Sequence, residues 1–359
     1  VQIGIDSFAA VVSDPATAMT SSAEDRLANL LEEIESADRA GIDVFGIGEH
    51  HRKEYLDSAP TLILAAAAAR TERIRLTSAV TVLSADDPVR VFQQFATLDL
   101  LSRGRAEMVV GRGSSIEAYP LFGHDLADYD SLFAEKLELL LQIRDETQVT
   151  WSGRHRHPLT GQGVFPRPVQ DRLPVWVGVG GTPESFARAG LLGLPLMVAI
   201  IGGTFERFRP LVDLYREAGR QAGHAPEALR VGVHAFGFVA DARQEAIDAT
   251  WPGYARLMST IGRERGWSPP SKAQYEAASG PGGAYLIGAP DDVVAKAHHL
   301  DEVLGGIDRL TFQMTNVLLP HPAMLRSIDL LGTEAAPRIR AEAAATRSAG
   351  RPPAWVELD

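Results

Sequence analysis

Short apolar runs alternate with longer segments in which apolar residues recur every three or four positions, and this alternation repeats along most of the chain. Gln2–Phe8, with Ile3 and Ile5, predicts a first strand. Behind it Leu27, Leu30, Leu31, Ile34 and Ala37 fall at helical spacing, opened by a Ser21-x-x-Glu24 capping pattern and stopped at Gly41. Ile42–Ile47 predicts strand two, and Pro60–Arg70 a helix with proline in its first turn. Ile74–Leu83 predicts strand three, Pro88–Leu101 a helix and Arg105–Gly111 strand four. From about Asp130 to Asp145 a helix places Leu132, Phe133, Leu137, Leu140 and Leu141 on one face. Strands five to eight are expected at Pro174–Val179, Leu194–Ile201, Arg230–Ala240 and Asp308–Met314. Helices between and after them are expected from Thr182-Pro183 to about Gly190, over Phe205–Ala222, from Asp241, over Pro290–Val303 and within Pro320–Ala345. Two stretches break the rhythm: residues 148–173 read as an inserted loop or hairpin, and residues 251–284, rich in Gly, Pro and Ser, as an irregular region.

Eight strands alternating with helices imply a parallel sheet, and eight such units close a (β/α)8 TIM barrel, whereas a doubly wound sheet usually has fewer. The expectation is an α/β barrel over residues 1–346, with insertions after the fourth helix and before the last βα unit, followed by an extended tail over 347–359. A chain of 359 residues suits one such domain.

Charge narrows the partners. The 35 Lys and Arg against 46 Asp and Glu give a net charge of -11, which argues against nucleic acid as the main partner. It leaves room for an anionic cofactor held by a few local donors. The absence of cysteine removes disulfides, thiolate metal sites and thiol nucleophiles. No apolar run approaches the length of a membrane span, the longest being Leu62–Ala69, and the N-terminal residues lack signal-peptide character. The expectation is a cytoplasmic protein that acts on small molecules.

Barrel active sites lie at the C-terminal ends of the strands, so the residues that follow each strand are the candidates. Strand two is followed by Gly48-Glu49-His50-His51. One imidazole there could serve as a general acid or base. A pair of locally bonded loop histidines explains the motif equally well, and a metal site with Glu49 and His234 is a third reading. Strand four is followed by Gly111-Arg112-Gly113, where glycines allow close backbone approach and the guanidinium suits a phosphate. Strand five is followed by Val179-Gly180-Gly181-Thr182-Pro183, a glycine turn entering a helix with Thr182 as N-cap. Such a turn is either an anion cradle or simply a tight turn. Strand three carries Ser78-Ala79-Val80-Thr81, small residues that leave space for a flat ring or merely fill the barrel.

Together, and in this order, these motifs resemble the bacterial luciferase-like monooxygenase family, specifically its FMN-using two-component branch. Besides Gly48–His51, the resemblance rests on Ala79–Leu83 followed by Asp87-Pro88-Val89-Arg90, on Asp99–Arg105, on Val109–Gly113 and on Val175–Gly181. It covers about residues 2–345.

The resemblance implies that His50 is catalytic and that Ala79–Val80 forms a non-proline cis peptide beneath the flavin ring. It implies that Arg112, with the turn Val179, Gly180, Gly181 and Thr182, holds the flavin phosphate, and that residues 251–284 form a lid. The implied reaction uses reduced FMN from a separate reductase and O2, through a flavin hydroperoxide, to oxygenate a small organic substrate, with no metal. It also implies a homodimer or heterodimer packed through helices near strands two and three, where Ala65–Ala69 allows close approach, although that run equally suits packing within one chain. Gly111 departs from the family's frequent cysteine, so no thiol-linked behaviour is expected. A deazaflavin-dependent hydride transfer on the same barrel and a non-catalytic flavin-binding subunit are the alternatives.

Overall fold

The computed structural model describes residues 1–11, 22–113, 116–266, 268–315 and 319–348. Its strands are β1 (Gln2–Ser7), β2 (Val44–Ile47), β3 in two pieces (Arg75–Ser78 and Thr81–Val82), β4 (Met108–Gly111), β5 (Val175–Val179), β6 (Leu196–Ile200), β7 (Val231–Val239) and β8 (Arg309–Thr315). All pair in parallel, β2 with β1, β1 with β8, and onward through β7, β6 and β5 to β4. The first piece of β3 pairs with β2 and the second with β4, which closes the ring as a (β/α)8 barrel. The interruption falls at Ala79–Val80, and that peptide bond is cis.

Strand alternation sorts the side chains into two layers. Ile3, Ile5, Phe45, Ile47, Leu310 and Phe312 face outward and pack in the main hydrophobic cluster with helix residues such as Leu30, Ile34 and Phe95. The inward layer is polar at the N-terminal end of the barrel. There Arg309 and Glu107 form a buried ion pair, Arg75 donates to Glu107 at 3.0 Å, and the Arg309 guanidinium lies 4.3 Å from the Trp176 ring centroid. Higher up, this layer thins to Gly4, Gly46, Gly111 and Gly178, so the C-terminal mouth has room that the base lacks.

The helices begin where capping chemistry allows. In α1 (Ala23–Arg39), Ser22 Oγ accepts from the Asp25 backbone N–H at 3.0 Å. The cap is therefore Ser22; the expected Ser21 lies outside the described residues. Helix α2 (Pro60–Ala68) starts on proline. In α3 (Pro88–Ser102), Asp87 accepts from the N–H groups of Val89 and Arg90. Helix α4 (Tyr129–Asp145) leads into the insertion, which is an antiparallel hairpin of Gln148–Trp151 with Leu159–Gly163. Helices α5 (Pro183–Leu191) and α6 (Arg209–Gln221) follow β5 and β6.

The region expected to be irregular, residues 251–284, is largely helical. Helix α7 (Arg243–Arg265) runs straight through Pro252, and α8 (Lys272–Ser279) starts on a full capping box at Ser271. Proline costs a helix one hydrogen bond. Here packing outweighs that loss: Trp251 and Tyr254 of α7 stack with Tyr275 of α8 at centroid distances of 5.4 and 4.6 Å. Leu286–Gly288 then adds a short strand beside β7 before α9 (Pro290–Leu304). The last helical stretch, His321–Leu330 and Ala336–Ser348 joined by a π turn, runs past Arg347, where an extended tail was expected; residues 349–359 lie outside the described residues. Among the described residues no helix is long and apolar enough to cross a membrane.

Candidate active site at the barrel mouth

The mouth is shaped by one valine. Val80, delivered by the cis peptide, projects into the barrel between two glycines. A Cβ at Gly111 would lie 2.8 Å from Val80 Cγ2, and one at Gly178 would lie 2.7 Å from Val80 Cγ1. Both distances are below van der Waals contact, so β4 and β5 carry glycine where Val80 presses against them. Gly46 on β2 is constrained likewise by the Asp6 carboxylate and Ala79. Ala79 and Val80 thus form a platform of small side chains in one wall of the barrel.

The two histidines after β2 diverge, each to its own acid. His50 Nδ1 lies 2.9 Å from Asp57 Oδ2, and the His50 backbone N–H donates to Asp57 Oδ1 at 3.2 Å. Asp57 is fully buried, which pushes its pKa up against the pull of His50. His51 Nε2 lies 3.2 Å from Glu49 Oε1, while Glu49 Oε2 accepts from the Val82 N–H at 2.9 Å, two residues beyond Val80. The Glu49 hydrogen bond raises the His51 pKa. On β7 the buried His234 bonds through Nδ1 to Asp6 Oδ2. Phe8 joins the two imidazoles, 4.5 Å from His50 and stacked at 6.3 Å on His234, and Tyr55 lies 4.6 Å from His50 and 6.1 Å from Phe8. Glu49 and His234 Nδ1 thus engage separate partners. Among the described residues no group of three or more His, Asp or Glu is placed to hold a metal.

The second centre lies between β4 and β5. Arg112 reaches the start of α5, donating to Ser185 Oγ at 3.1 Å and to Thr182 Oγ1 at 3.5 Å. It also pairs with Asp130 Oδ1 at 2.5 Å and sits 5.0 Å from the Tyr129 ring centroid. Thr182 is the N-cap of α5 by backbone geometry, yet its hydroxyl caps none of the helix N–H groups. Gly180 and Gly181 are exposed, with open space where a Cβ would be. A guanidinium, two hydroxyls and uncapped helix N–H groups therefore converge on one accessible point, the donor set a phosphate monoester needs. Val179 differs from its neighbours: its side chain is buried in the outward cluster, so only its main chain can face a ligand.

The structure thus brings Arg112, Gly180, Gly181 and Thr182 together, and places Ala79–Val80 on the interior wall and His50 at the neighbouring strand end. Sequence reading missed Asp57, Asp6, Ser185 and Asp130. Ser185 had a local signal, since it follows the Thr182 N-cap by one helical turn. The others lie on other segments and had none.

The family model described as luciferase-like monooxygenase matches residues 7–305. The 4-hydroxyprotoasukamycin monooxygenase of Streptomyces nodosus subsp. asukaensis is 30% identical over 329 residues, 86% of this chain and 85% of that protein. In fold, the oxygenating constituent of 3,6-diketocamphane monooxygenase from Pseudomonas putida, in complex with FMN, superposes with a TM-score of 0.73 at 20% identity, covering 94% of this chain and 98% of that one. An F420-dependent secondary alcohol dehydrogenase in complex with an F420-acetone adduct superposes with a TM-score of 0.74 at 18% identity, covering 94% and 99%.

Proposed function

Because the chain belongs to the luciferase-like monooxygenase family, we propose that it is an FMN-dependent monooxygenase that uses reduced FMN and O2 to oxygenate a small organic substrate. The observation that carries this reading is the convergence of Arg112, Thr182 and Ser185 on one point at the start of α5. Arg112, Ser185 and the main chain of Val179–Thr182 would hold the phosphate, and Ala79 and Val80 would support the ring. When bound, reduced flavin supplies the electrons that activate O2 for transfer of one oxygen atom.

The chain's own part is positional and protolytic. Asp57 engages His50 Nδ1 and leaves Nε2 free to give or take a proton at the substrate. The described parts of residues 251–284, helices α7 and α8, would close one side of the mouth and keep water from it. A separate reductase would supply the reduced flavin. Exposed Leu62, Leu101 and Phe165, beside α2 and α3, support a homodimer through that face.

A deazaflavin-dependent hydride transfer is the second reading, favoured by the fold shared with the F420-dependent dehydrogenase. A titration of the purified chain with FMN, anaerobically reduced FMN and the deazaflavin decides between them. Tightest binding of reduced FMN, with O2 uptake, is the expected result. Preference for the deazaflavin overturns the monooxygenase chemistry and keeps the barrel.

A further inference from the structure

Gln313 is a buried side chain with an idle acceptor. It is 3% exposed, and its Oε1 has no hydrogen-bond partner among the described residues. Alternation on β8 aims it into the barrel: Arg309 meets the interior Trp176, and the Thr311 hydroxyl fills the space beside Gly4. Gln313 stands in register with Asp6 of β1 on one side and Phe236 of β7 on the other. It therefore lies at the top of the inward layer, next to the Asp6–His234 pair. A buried carbonyl oxygen left unbonded costs on the order of 1–3 kcal/mol, so such a group calls for a partner.

The surroundings are aromatic. Phe236 meets Tyr254 and Tyr285 edge to face at 5.7 and 5.1 Å, and the two tyrosine hydroxyls lie 2.8 Å apart. In an eight-stranded ring, β7 lies across the barrel from β3, so this wall faces the Ala79–Val80 platform. A flavin ring on that platform leaves the β7–β8 side to the substrate.

Resting on the flavin reading above, we infer that Gln313 is a substrate-recognition residue, and that the substrate carries an aromatic ring bearing an O–H or N–H donor. The ring packs against Phe236 and Tyr254, and its donor is accepted by Gln313 Oε1. A site built to accept a hydrogen bond rejects an analogue without the donor, because the acceptor is then left buried and unpaired.

The test titrates the full chain calorimetrically, with and without saturating FMN, using 2-naphthol and 2-methoxynaphthalene. These probes share a ring system and differ in the O–H donor. We expect 2-naphthol to bind about ten-fold more tightly, the factor for one neutral hydrogen bond. Gln313→Leu should erase that preference, and Gln313→Glu, which keeps an acceptor, should retain it and covers the case in which the leucine variant does not fold. Binding of neither probe, equal affinity for both, or a preference that survives Gln313→Leu or is lost in Gln313→Glu overturns the inference. FMN affinity is measured in parallel. If Gln313→Leu weakens FMN as much as 2-naphthol, Gln313 reads the flavin and the substrate assignment falls. If FMN does not bind the wild type, the flavin reading fails on its own, while a donor preference that depends on Gln313 still supports the ring site.

Discussion

Asp57 grips His50 twice, accepting from its backbone N–H with one carboxylate oxygen and engaging its ring Nδ1 with the other, at 3.2 and 2.9 Å. The pair fixes both the chain path after β2 and the direction of the imidazole. Asp57→Asn keeps the shape but can offer Nδ1 an N–H instead of an acceptor, which favours the wrong tautomer. Turnover should fall by roughly 10²-fold or more, the scale of a general acid–base contribution. FMN affinity should change little, since neither residue touches the Arg112 centre. Steady-state kinetics with a parallel flavin titration checks this, and unchanged turnover would remove His50 from the chemistry.

The pairing of Arg112 with Asp130 places a carboxylate at the point where a phosphate would bind. Arg112→Ala should weaken FMN at least ten-fold more than riboflavin, which lacks the phosphate; a bidentate charged contact is of that size. Asp130→Asn should act in the opposite direction and tighten FMN several-fold, with a smaller effect on riboflavin. Both shifts should shrink as salt rises, because Asp130 is exposed and screened. Equal effects on FMN and riboflavin would argue that the phosphate binds elsewhere.

Val80 is held between Gly111 and Gly178, and the fit leaves no space for a methyl group on either glycine. Gly178→Ala should destabilise the fold by about 1–3 kcal/mol, the usual cost of overpacking. It should also weaken flavin binding by disturbing the platform. Val80→Ala removes the colliding methyl groups, so the Gly178→Ala, Val80→Ala double variant should recover part of the lost stability. A double-mutant cycle by thermal or denaturant unfolding reads the coupling directly; additive effects would mean that the two residues do not press on each other.

What could be read before the structure follows from how locally each feature is encoded. The eight strands are short apolar runs bounded by turn residues, and they were legible to within a few positions. The position of His50, Arg112 and Thr182 at the C-terminal ends of strands was legible, and that is the end of a barrel where chemistry collects. Strand three reads as one run in sequence; the cis peptide at Ala79–Val80 came only through the family resemblance, and the division of the strand there was not foreseen. The start of helix α7 was legible from Asp241, but its continuation past Thr250 was missed because Pro252 is a local stop signal, and the ring contacts of Trp251 and Tyr254 that override it come from Tyr275 and Tyr285, on other segments. Asp57, Asp130 and Gln313 are ordinary polar residues in the sequence. Only their burial, their partners or the lack of one gives them meaning.

At the opposite end of the barrel, the buried Glu107–Arg309 pair predicts a pH-dependent stability that is independent of the active site. Burial opposes ionisation of Glu107, but the Arg309 and Arg75 guanidiniums outweigh it and hold its carboxyl below the usual carboxylate range. A group whose pKa is lower in the folded than in the unfolded state contributes stability above its unfolded value, near 4.3, and loses it as the pH falls through the folded value. Glu107→Gln leaves Arg309 buried without its counter-charge and should cost about 3–5 kcal/mol at neutral pH. The gap between wild type and variant should stay constant near neutrality and narrow progressively as the pH falls below the unfolded value, until the wild-type carboxyl takes up its proton. Denaturant unfolding of both proteins from pH 7 down to acid checks this, and a gap that is constant with pH would mean that Glu107 contributes by packing rather than by charge.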